Sequence, residues 1–437
     1  MDLSILIPAR NEEFLARTVE DILKNIKADT EVIAVMDGDW ADPPVPQHDR
    51  VNVIKLSKSI GQRAATNLAC KSSKAKYVMK IDAHCSFERG FDRKMLDTFK
   101  ATGDNVTMVP IMRNLWAFDW KCYHCGWKKY QGPTPEKCGD CGKGDDIRRK
   151  MIWKGKNNPQ STTYCFDPSP KFQYFNKWKK RAEYKKDKEE KGLTETMSLQ
   201  GSCWMLTREK YWDLNICDEK FGGWGSQGIE VACKTWLSGG RVLVNHKTWY
   251  AHMFRTQGGD FSFPYSISNK DQKRAQDYAR DLFFNNKWPK QIRPLSWLVE
   301  KFWPVRDWTD EDLKNLKKND SKFSEQKSDS IPIRANTRTK DASQDHLQKD
   351  IVSPPPSKEV KLSEIDPELE KGEQPNNYIQ ITEGKRLILL DVVDLSKEKP
   401  SDGARKHGII YSIEPSKGVI YYADDEVNLK ILIKKLK

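Results

Sequence analysis

The sequence predicts an α/β fold in which helices flank a mainly parallel sheet. Short apolar segments alternate with stretches of helical periodicity, and several of the apolar segments end in a proline or a carboxylate. This alternation is typical of βαβ units, which bring parallel strands together under a layer of helices. The predicted order is β-α-β-β-α-β, with strands at residues 3–8, 31–36, 51–56 and 77–81 and helices at residues 14–27 and 64–71.

Each element follows from its own pattern. The strand at residues 3–8 is a continuous apolar run that stops at a proline. The first helix is predicted from apolar residues that recur on one face: Leu15, Val19, Ile22, Leu23 and Ile26. The next two strands are again short apolar runs. The second helix opens after a Gly-Gln-Arg turn, and the fourth strand leads directly into Asp82.

The ends of three predicted strands indicate where a ligand binds. Pro8, Asp37 and Asp82 each close an apolar segment. Ligands of parallel sheets bind at the carboxyl ends of the strands, so we expect these residues to line one crevice. Asp82 and His84 are two positions apart, and in an extended segment their side chains point to the same side. Together they suit a cation such as Mn²⁺, which also binds phosphate oxygens. Taken alone, the pair is equally typical of a strand end with a surface histidine.

In combination these motifs resemble family 2 glycosyltransferases of the GT-A fold, which is Rossmann-like. The resemblance covers roughly residues 2–255, and its Asp82-Ala83-His84-Cys85 motif is most similar to the Asp-x-His variant of polypeptide N-acetylgalactosaminyltransferases. It implies transfer from a nucleotide-sugar, with a UDP-sugar favoured, to a hydroxyl acceptor. The residues that it implies for the donor site are Pro8, Arg10, Glu12, Asp37, Arg63, Asp82 and Gly223.

Residues 221–230 resemble the loop and helix that contact the donor sugar and the acceptor in the same enzymes. This implies catalytic roles for Trp224, Gln227 and Glu230. Gln227 and Gly228 depart from the family pattern, in which a glutamate is followed by Asn or Asp. Inverting members use that carboxylate as the general base. Either Glu230 takes over this role, or the leaving phosphate accepts the acceptor proton in a retaining reaction.

A third metal ligand is implied by the segment that ends in His252-Met253-Phe254-Arg255, which resembles the His-x-Phe-Arg end of these enzymes. His252 would complete a site for Mn²⁺ or Mg²⁺ with Asp82 and His84. His246 is the competing candidate, although it lies outside the matching motif. The cation would polarise the diphosphate as the sugar departs.

A second metal site is predicted inside residues 116–150. Cys122-x-x-Cys125 and Cys138-x-x-Cys141 are separated by twelve residues, a spacing typical of a structural Zn²⁺ ribbon with four thiolates and no open position. Two disulfides are the alternative. Aromatic and basic residues interleave around the cysteines, which suits a nucleic acid, since cations meet phosphates and rings stack on bases. A small module with an ordinary basic face explains the same pattern.

Composition and length constrain the organisation of the chain. The 437 residues carry a net charge of +13, which favours a polyanionic partner. No apolar stretch is long enough to span a membrane, and no secretory signal precedes the first strand, so we expect a cytoplasmic enzyme (in the host, if the protein is viral). We expect a glycosyltransferase domain at residues 1–310 that includes the zinc ribbon. A Lys-, Ser- and Pro-rich linker at residues 318–376 and a small β-rich module at residues 377–437 would follow.

The acceptor is the most open question. A basic surface, a zinc ribbon and a GT-A core resemble, as a set, the DNA glycosyltransferases of phages and other viruses that modify 5-hydroxymethylcytosine beside TET-like dioxygenases. This implies the hydroxymethyl group of a modified pyrimidine in DNA as acceptor. The alternatives are a protein or polysaccharide acceptor, a nucleotidyltransferase, and a non-catalytic nucleic-acid-binding protein built on a degenerate GT-A fold.

Overall fold

A computed structural model describes residues 1–38, 41–265 and 267–320, together with the backbone of residues 378–383 and 386–391. The strands are β1 (Leu3–Ala9), β2 (Thr30–Asp37), β3 (Val51–Leu56), β4 (Tyr77–Ile81), β5 (Cys85–Phe87), β6 (Val106–Cys122), β7 (Lys128–Tyr130), β8 (Ile147–Ser161), β9 (Tyr164–Phe166), β10 (Phe172–Tyr174), β11 (Leu193–Glu195), β12 (Cys203–Thr207), β13 (Arg241–His252), β14 (Tyr378–Glu383) and β15 (Arg386–Asp391). The α-helices are α1 (Leu15–Asn25), α2 (Gln62–Ser72), α3 (Phe91–Thr102), α4 (Ala182–Lys191), α5 (Arg208–Asp213), α6 (Gln227–Leu237), α7 (Asn269–Ala279), α8 (Leu295–Lys301) and α9 (Asp310–Lys317).

The main sheet confirms the predicted mixed α/β class. Its strands follow the order β11-β13-β6-β12-β4-β1-β2-β3, and β5, β7 and β8 pair off this path. β3, β2, β1 and β4 are parallel neighbours, in the predicted β-α-β-β-α-β sequence. β12 runs antiparallel between β4 and β6, whereas β13 is parallel to β6. β2 is buried along its whole length because helices cover both faces of a parallel sheet.

The two predicted helices are present, but their ends differ from the predicted ones for identifiable reasons. α1 ends at Asn25, two residues early, because the carboxylate of Asp92 accepts hydrogen bonds from the backbone amides of Lys27 and Ala28. Those amides therefore leave the helical register. α2 begins at Gln62, two residues early, directly after Gly61, which has a φ of 91°. The first reason is a tertiary contact, which leaves no trace in helical periodicity, whereas the second is a local property of the glycine before the helix.

The carboxyl edge of the parallel strands positions the site. β1, β2 and β4 end at this edge, so their last residues bring Pro8, Asp37 and Asp82 together. β13 extends as far as His252, because an irregularity between Asn245 and Trp249 lets it continue beside β6. Its last residue, His252, is the register partner of Cys85 on β5 and so lies beside His84.

A long hairpin projects from the same sheet. β6 has 17 residues and β8 has 15, and the two pair antiparallel with several irregularities while β7 lines the other edge of β6. The four cysteines of residues 116–150 lie at the tip of this hairpin. In the described residues no helix is long and apolar enough to cross a membrane.

The C-terminal region is described only as an antiparallel hairpin of β14 and β15. These strands lie within residues 377–437, for which a β-rich module is predicted. The predicted linker from residue 321 onward and the rest of the predicted module lie outside the described residues.

Candidate functional site

A cavity of about 320 Å³ opens at the carboxyl edge of the sheet. The structure brings most of the predicted donor and metal residues together there. Those that line it are Pro8, Arg10, Glu12, Asp37, Asp82, His84, Gly223, Trp224 and His252. Arg63 and Glu230 are not part of the lining, and Gln227 lines a neighbouring cavity instead.

Three side chains in this cavity converge as metal ligands do. One ligand atom each from Asp82, His84 and His252 lies within 4.8 Å of the other two. The Nε2 atoms of the two histidines are 3.0 Å apart, and His252 Nε2 is 3.1 Å from Asp82 Oδ2. His252 Nδ1 is buried without a hydrogen-bond partner. Two imidazole nitrogens and a carboxylate that face one point fit a divalent cation such as Mn²⁺.

The surroundings keep these donors in the form that a cation needs. Burial would raise the pKa of Asp82, but the Lys80 ammonium and His252 outweigh it and hold that pKa well below its usual range. Burial lowers the pKa of His252 to about 4, so its imidazole is neutral at neutral pH. His84 Nδ1 donates to Glu12 Oε2 across 2.9 Å, since a carboxylate only accepts. His84 Nε2 is therefore the atom with the free lone pair.

Glu12 contacts the three converging side chains from outside, through His84. Its second carboxylate oxygen accepts a hydrogen bond from Arg255 Nη2 across 2.6 Å. Burial would raise the pKa of Glu12, but His84 and Arg255 together lower it. A carboxylate that orients a metal-binding histidine through its other nitrogen is a common outer partner of metal sites.

His246, the competing ligand candidate, lies away from the cluster. Its Nε2 atom is 2.9 Å from the Thr194 hydroxyl, and its ring contacts Tyr184 at a centroid distance of 5.9 Å. It sits at the irregularity of β13, six residues before His252. Within the described residues, the converging group therefore contains His252 and not His246.

Asp37 shapes the loop that opens α2. Its carboxylate accepts hydrogen bonds from the backbone amides of Ile60 and Gly61 and from the Ser59 hydroxyl. Gly61 approaches the opposite loop so closely that a Cβ there would lie 3.1 Å from Gly223 Cα. Asp37 thus lines the cavity and also fixes the spacing of the two loops that border it.

Arg63 and Glu230 form a buried ion pair, so neither is placed as the sequence led us to expect. Arg63 Nε donates to Glu230 Oε2 across 3.0 Å, and the side chains are 1% and 0% exposed. Arg63 also donates to the carbonyls of Gly222 and Gly225, while Lys234 donates to Glu230 Oε1. Glu230 has no path to an acceptor hydroxyl. The pair instead holds the loop that carries Gly223 and Trp224.

Gln227 and Gly228 line a second cavity of about 440 Å³, which shares Asp82 and Trp224 with the first. The Gln227 Oε1 atom is buried without a partner, and its Nε2 contacts Cys217 Sγ at 3.4 Å. A Cβ at Gly228 would lie 1.9 Å from the Leu199 carbonyl oxygen. This contact explains the departure from the family pattern, because no Asn or Asp side chain fits at that position.

Sequence reasoning missed several residues of the site. Lys80 lies directly behind Asp82, and its signal was a charged residue inside an otherwise apolar strand. Arg255 was part of a matching motif without an assigned role. Tyr265 and Asp271 line the first cavity, but their segment has no motif or periodicity that could have identified them.

The four cysteines of the hairpin tip also converge. The Sγ atoms of Cys122, Cys125, Cys138 and Cys141 lie within 4.8 Å of one another. Two of the separations are 3.7 Å and 3.4 Å, far longer than the roughly 2.05 Å of a disulfide. Tetrahedral ligands at about 2.3 Å from zinc are about 3.8 Å apart, so the set fits a Zn²⁺ ion. The alternative of two disulfides does not agree with this geometry.

Comparison with known proteins connects this site to a family. Residues 4–142 match the family model of glycosyl transferase family 2. The matched segment contains the predicted donor residues from Pro8 to Asp82, together with His84, whereas Trp224 and His252 follow it along the chain.

The curated relatives are remote and longer than this chain. Polypeptide N-acetylgalactosaminyltransferase 3 of Homo sapiens is 23% identical over 290 residues, which cover 63% of this chain and 40% of the relative. Putative polypeptide N-acetylgalactosaminyltransferase 13 of Drosophila melanogaster is 22% identical over 317 residues, 68% of this chain and 48% of the relative. The chain thus spans less than half the length of either relative.

A crystal structure of GalNAc-T7 with UDP, GalNAc and Mn²⁺ superimposes with a TM-score of 0.45 at 14% identity, covering 73% of this chain and 55% of that one. The family model and the curated relatives are all those of glycosyltransferases.

Proposed function

We propose that this protein is a metal-dependent glycosyltransferase that moves a sugar from a nucleotide-sugar, in the first place a UDP-sugar, to a hydroxyl group. The observation that carries the proposal is the convergence of Asp82, His84 and His252 in one cavity. Asp82 and His84 lie in the segment that matches the family 2 model. A divalent cation on these ligands would neutralise the charge that develops on the diphosphate. A phosphate-binding cation and a cavity at the carboxyl edge of a sheet are what a nucleotide-sugar requires.

Each residue then has a defined task. Asp82, His84 and His252 hold the cation, and Glu12 orients the His84 ring. Arg10 lies exposed at the rim, where its charge attracts phosphates. Asp37 holds the loop before α2, and Arg63 with Glu230 holds the loop opposite. Trp224 and Gln227 border the space beside Asp82 that the sugar and the acceptor would enter.

For the acceptor we propose a hydroxymethylated pyrimidine base in DNA. One face of the hairpin supports this choice. Lys121 is the register partner of both Lys128 and Arg148, and Lys150 is opposite Asp119 on the same face. Lys156 lies 3.9 Å from the Tyr130 ring, and Lys121 lies 4.6 Å from the Tyr123 ring. We call Lys121, Lys128, Arg148, Lys150, Lys154, Lys156, Tyr123 and Tyr130 the basic face.

The hairpin that carries the basic face is anchored at the rim of the cavity through its reverse side. Arg149 pairs with Glu13 across 2.6 Å, and Phe118 packs against Phe14 and Phe261. Glu13 and Phe14 follow β1 directly, next to Glu12 of the cavity. A polyanion held on the basic face would therefore be held near the reaction site.

The four cysteines stabilise the hairpin tip, and we propose Zn²⁺ as the ion that they hold. Because thiolate ligation suits a reducing compartment, we place the reaction in the cytoplasm.

A protein acceptor is the second candidate, and the names of the curated relatives favour it, since they are polypeptide N-acetylgalactosaminyltransferases. A single acceptor screen separates the two. Purified protein with Mn²⁺ and each of several UDP-sugars is offered hydroxymethylated DNA, unmodified DNA and Ser/Thr peptides, and products are identified by mass spectrometry. We expect a mass gain of one hexose or one N-acetylhexosamine on hydroxymethylated DNA alone. Transfer to peptides but not to DNA would replace the first acceptor with the second.

Three variants and one control variant complete the tests of the proposed function. Asp82→Ala should abolish transfer, and unchanged activity with this variant and with a chelator would refute the metal site. DNA binding without any turnover would favour the non-catalytic alternative.

Replacing Lys150 and Lys154 with glutamate should weaken DNA binding and reduce its salt dependence, because fewer counterions are released. Cys122→Ser should lower the zinc content measured by mass spectrometry, whereas Cys233→Ala, outside the cluster, should not.

A further inference from the structure

Lys80 is a fully buried lysine in the middle of a strand. Its side chain is 0% exposed, and its neighbours on β4 are apolar. The ammonium donates to the Asp82 carboxylate and, across 2.9 Å, to the Gly201 carbonyl. Burying an ammonium costs several kcal/mol unless it is paired. The proposed transfer assigns no role to this charge, yet it lies against the one carboxylate of the ligand set.

The charges around the ligand set cancel without a cation. Asp82 is matched by Lys80, and Glu12 is matched by Arg255. The two histidines add no negative charge in either protonation state. The three ligands and their direct partners therefore carry no net negative charge. This differs from cation sites that bind tightly by themselves, whose affinity rises with the number of negatively charged ligands.

We propose that Lys80 is a positioning residue that keeps this site too weak to retain a divalent cation alone, so that the cation is held only together with a diphosphate. The inference rests on the proposed function, since it requires the cation and the nucleotide. A diphosphate supplies the negative charge that Lys80 cancels on Asp82. Cation and nucleotide then increase each other's affinity by the same factor, as linkage demands.

A merely structural role for Lys80 predicts the opposite result in a binding experiment. If Lys80 only held Asp82 and the Gly201 carbonyl in place, its loss would misplace a ligand and weaken cation binding. If its charge matters, its loss unmasks Asp82 and strengthens cation binding, because a positive charge in contact with the ligand set repels the cation. The sign of the change therefore separates the two roles.

The experiment measures Mn²⁺ binding directly, by the loss of the electron paramagnetic resonance signal of free Mn²⁺. Wild type, Lys80→Met and Lys80→Gln are titrated with and without UDP, with no acceptor and no turnover. Gln keeps a neutral donor for Asp82 and Gly201. Lys94→Met, which removes an exposed lysine paired with Glu88, is the matched control.

For wild type and Lys94→Met we expect UDP to tighten Mn²⁺ binding by about ten- to a hundredfold. For both Lys80 variants we expect Mn²⁺ without UDP to bind roughly tenfold more tightly than in wild type. Tight Mn²⁺ binding by wild type without UDP would overturn the inference. Weaker Mn²⁺ binding by the Lys80 variants would also overturn it, and a single folded variant is enough for that comparison. Absence of Mn²⁺ binding by wild type with UDP would overturn the proposed function as well, which distinguishes the two failures.

Discussion

Arg63 donates to the Glu230 carboxylate across 3.0 Å in the interior of the protein, so the carboxylate nearest to the family's base position is already occupied. Glu230 also accepts from Lys234 and from the backbone amide of Asp218. These contacts tie α2, α6 and the loop between Asp218 and Gln227 into one unit. The loop that borders the sugar side of the cavity therefore depends on a buried ion pair for its position.

We expect Glu230→Gln to destabilise the fold by about 3 kcal/mol, because it leaves the guanidinium of Arg63 without a buried counterion. The ammonium of Lys234 would keep only Asp218, whose Oδ2 atom is 3.9 Å away. Chemical denaturation measures this loss. The control is Glu219→Gln, which changes a carboxylate in an exposed hydrogen bond to Asn67 and should cost little. A variant of unchanged stability that loses turnover a hundredfold would instead make Glu230 the general base.

Gly228 should not accept any side chain. A Cβ at this position would lie 1.9 Å from the Leu199 carbonyl oxygen, so Gly228→Ala requires the backbone to move and should cost about 3 kcal/mol. Gly223→Ala is the matched control, because its Cβ would lie 3.8 Å from the nearest atom, Gly61 Cα. Thermal unfolding of both variants tests the comparison. Equal stabilities would show that the loop at Leu199 yields to a methyl group.

The sequence predicted what depends on local pattern and missed what depends on tertiary contact. The parallel strands were visible as apolar runs, and the three converging ligands were visible because the family motifs are short and contiguous. The burial of Arg63 and Glu230 was not visible, since their contact joins residues 167 positions apart. The requirement for glycine at position 228 was not visible either, because it comes from the Leu199 carbonyl on another segment. Lys80 is a charged residue in an otherwise apolar strand, and this exception to the strand pattern could have identified it.

Glu12→Gln should weaken metal binding without removing a ligand. The carboxylate of Glu12 orients His84 through Nδ1. Loss of such an outer partner typically lowers metal affinity by about ten- to a hundredfold. We therefore expect the Mn²⁺ concentration for half-maximal binding in the presence of UDP to rise by about ten- to a hundredfold. Glu13→Gln, next in sequence but paired with Arg149, is the control. Equal Mn²⁺ affinities for the two variants would exclude the orienting role of Glu12.

His246 should make the protein less stable in mild acid. Burial, with Lys188 and Lys179 nearby, lowers the pKa of His246 to about 4 from an ordinary value of 6.5. The unfolded chain therefore binds more protons between these values. The contribution of His246 to stability is complete above about pH 6.5 and is lost as the pH falls towards 4.

The His246→Gln variant isolates this effect, because glutamine does not titrate. We expect the free energy of unfolding of wild type to fall, relative to the variant, by on the order of 2 kcal/mol between pH 7 and pH 4.5. His48→Gln, at an exposed histidine beside Asp49, should show no such change relative to wild type. If the stabilities of wild type and His246→Gln fall in parallel over this range, His246 is protonated in the folded state. The burial of His246 against Thr194 and Tyr184 opposes that outcome.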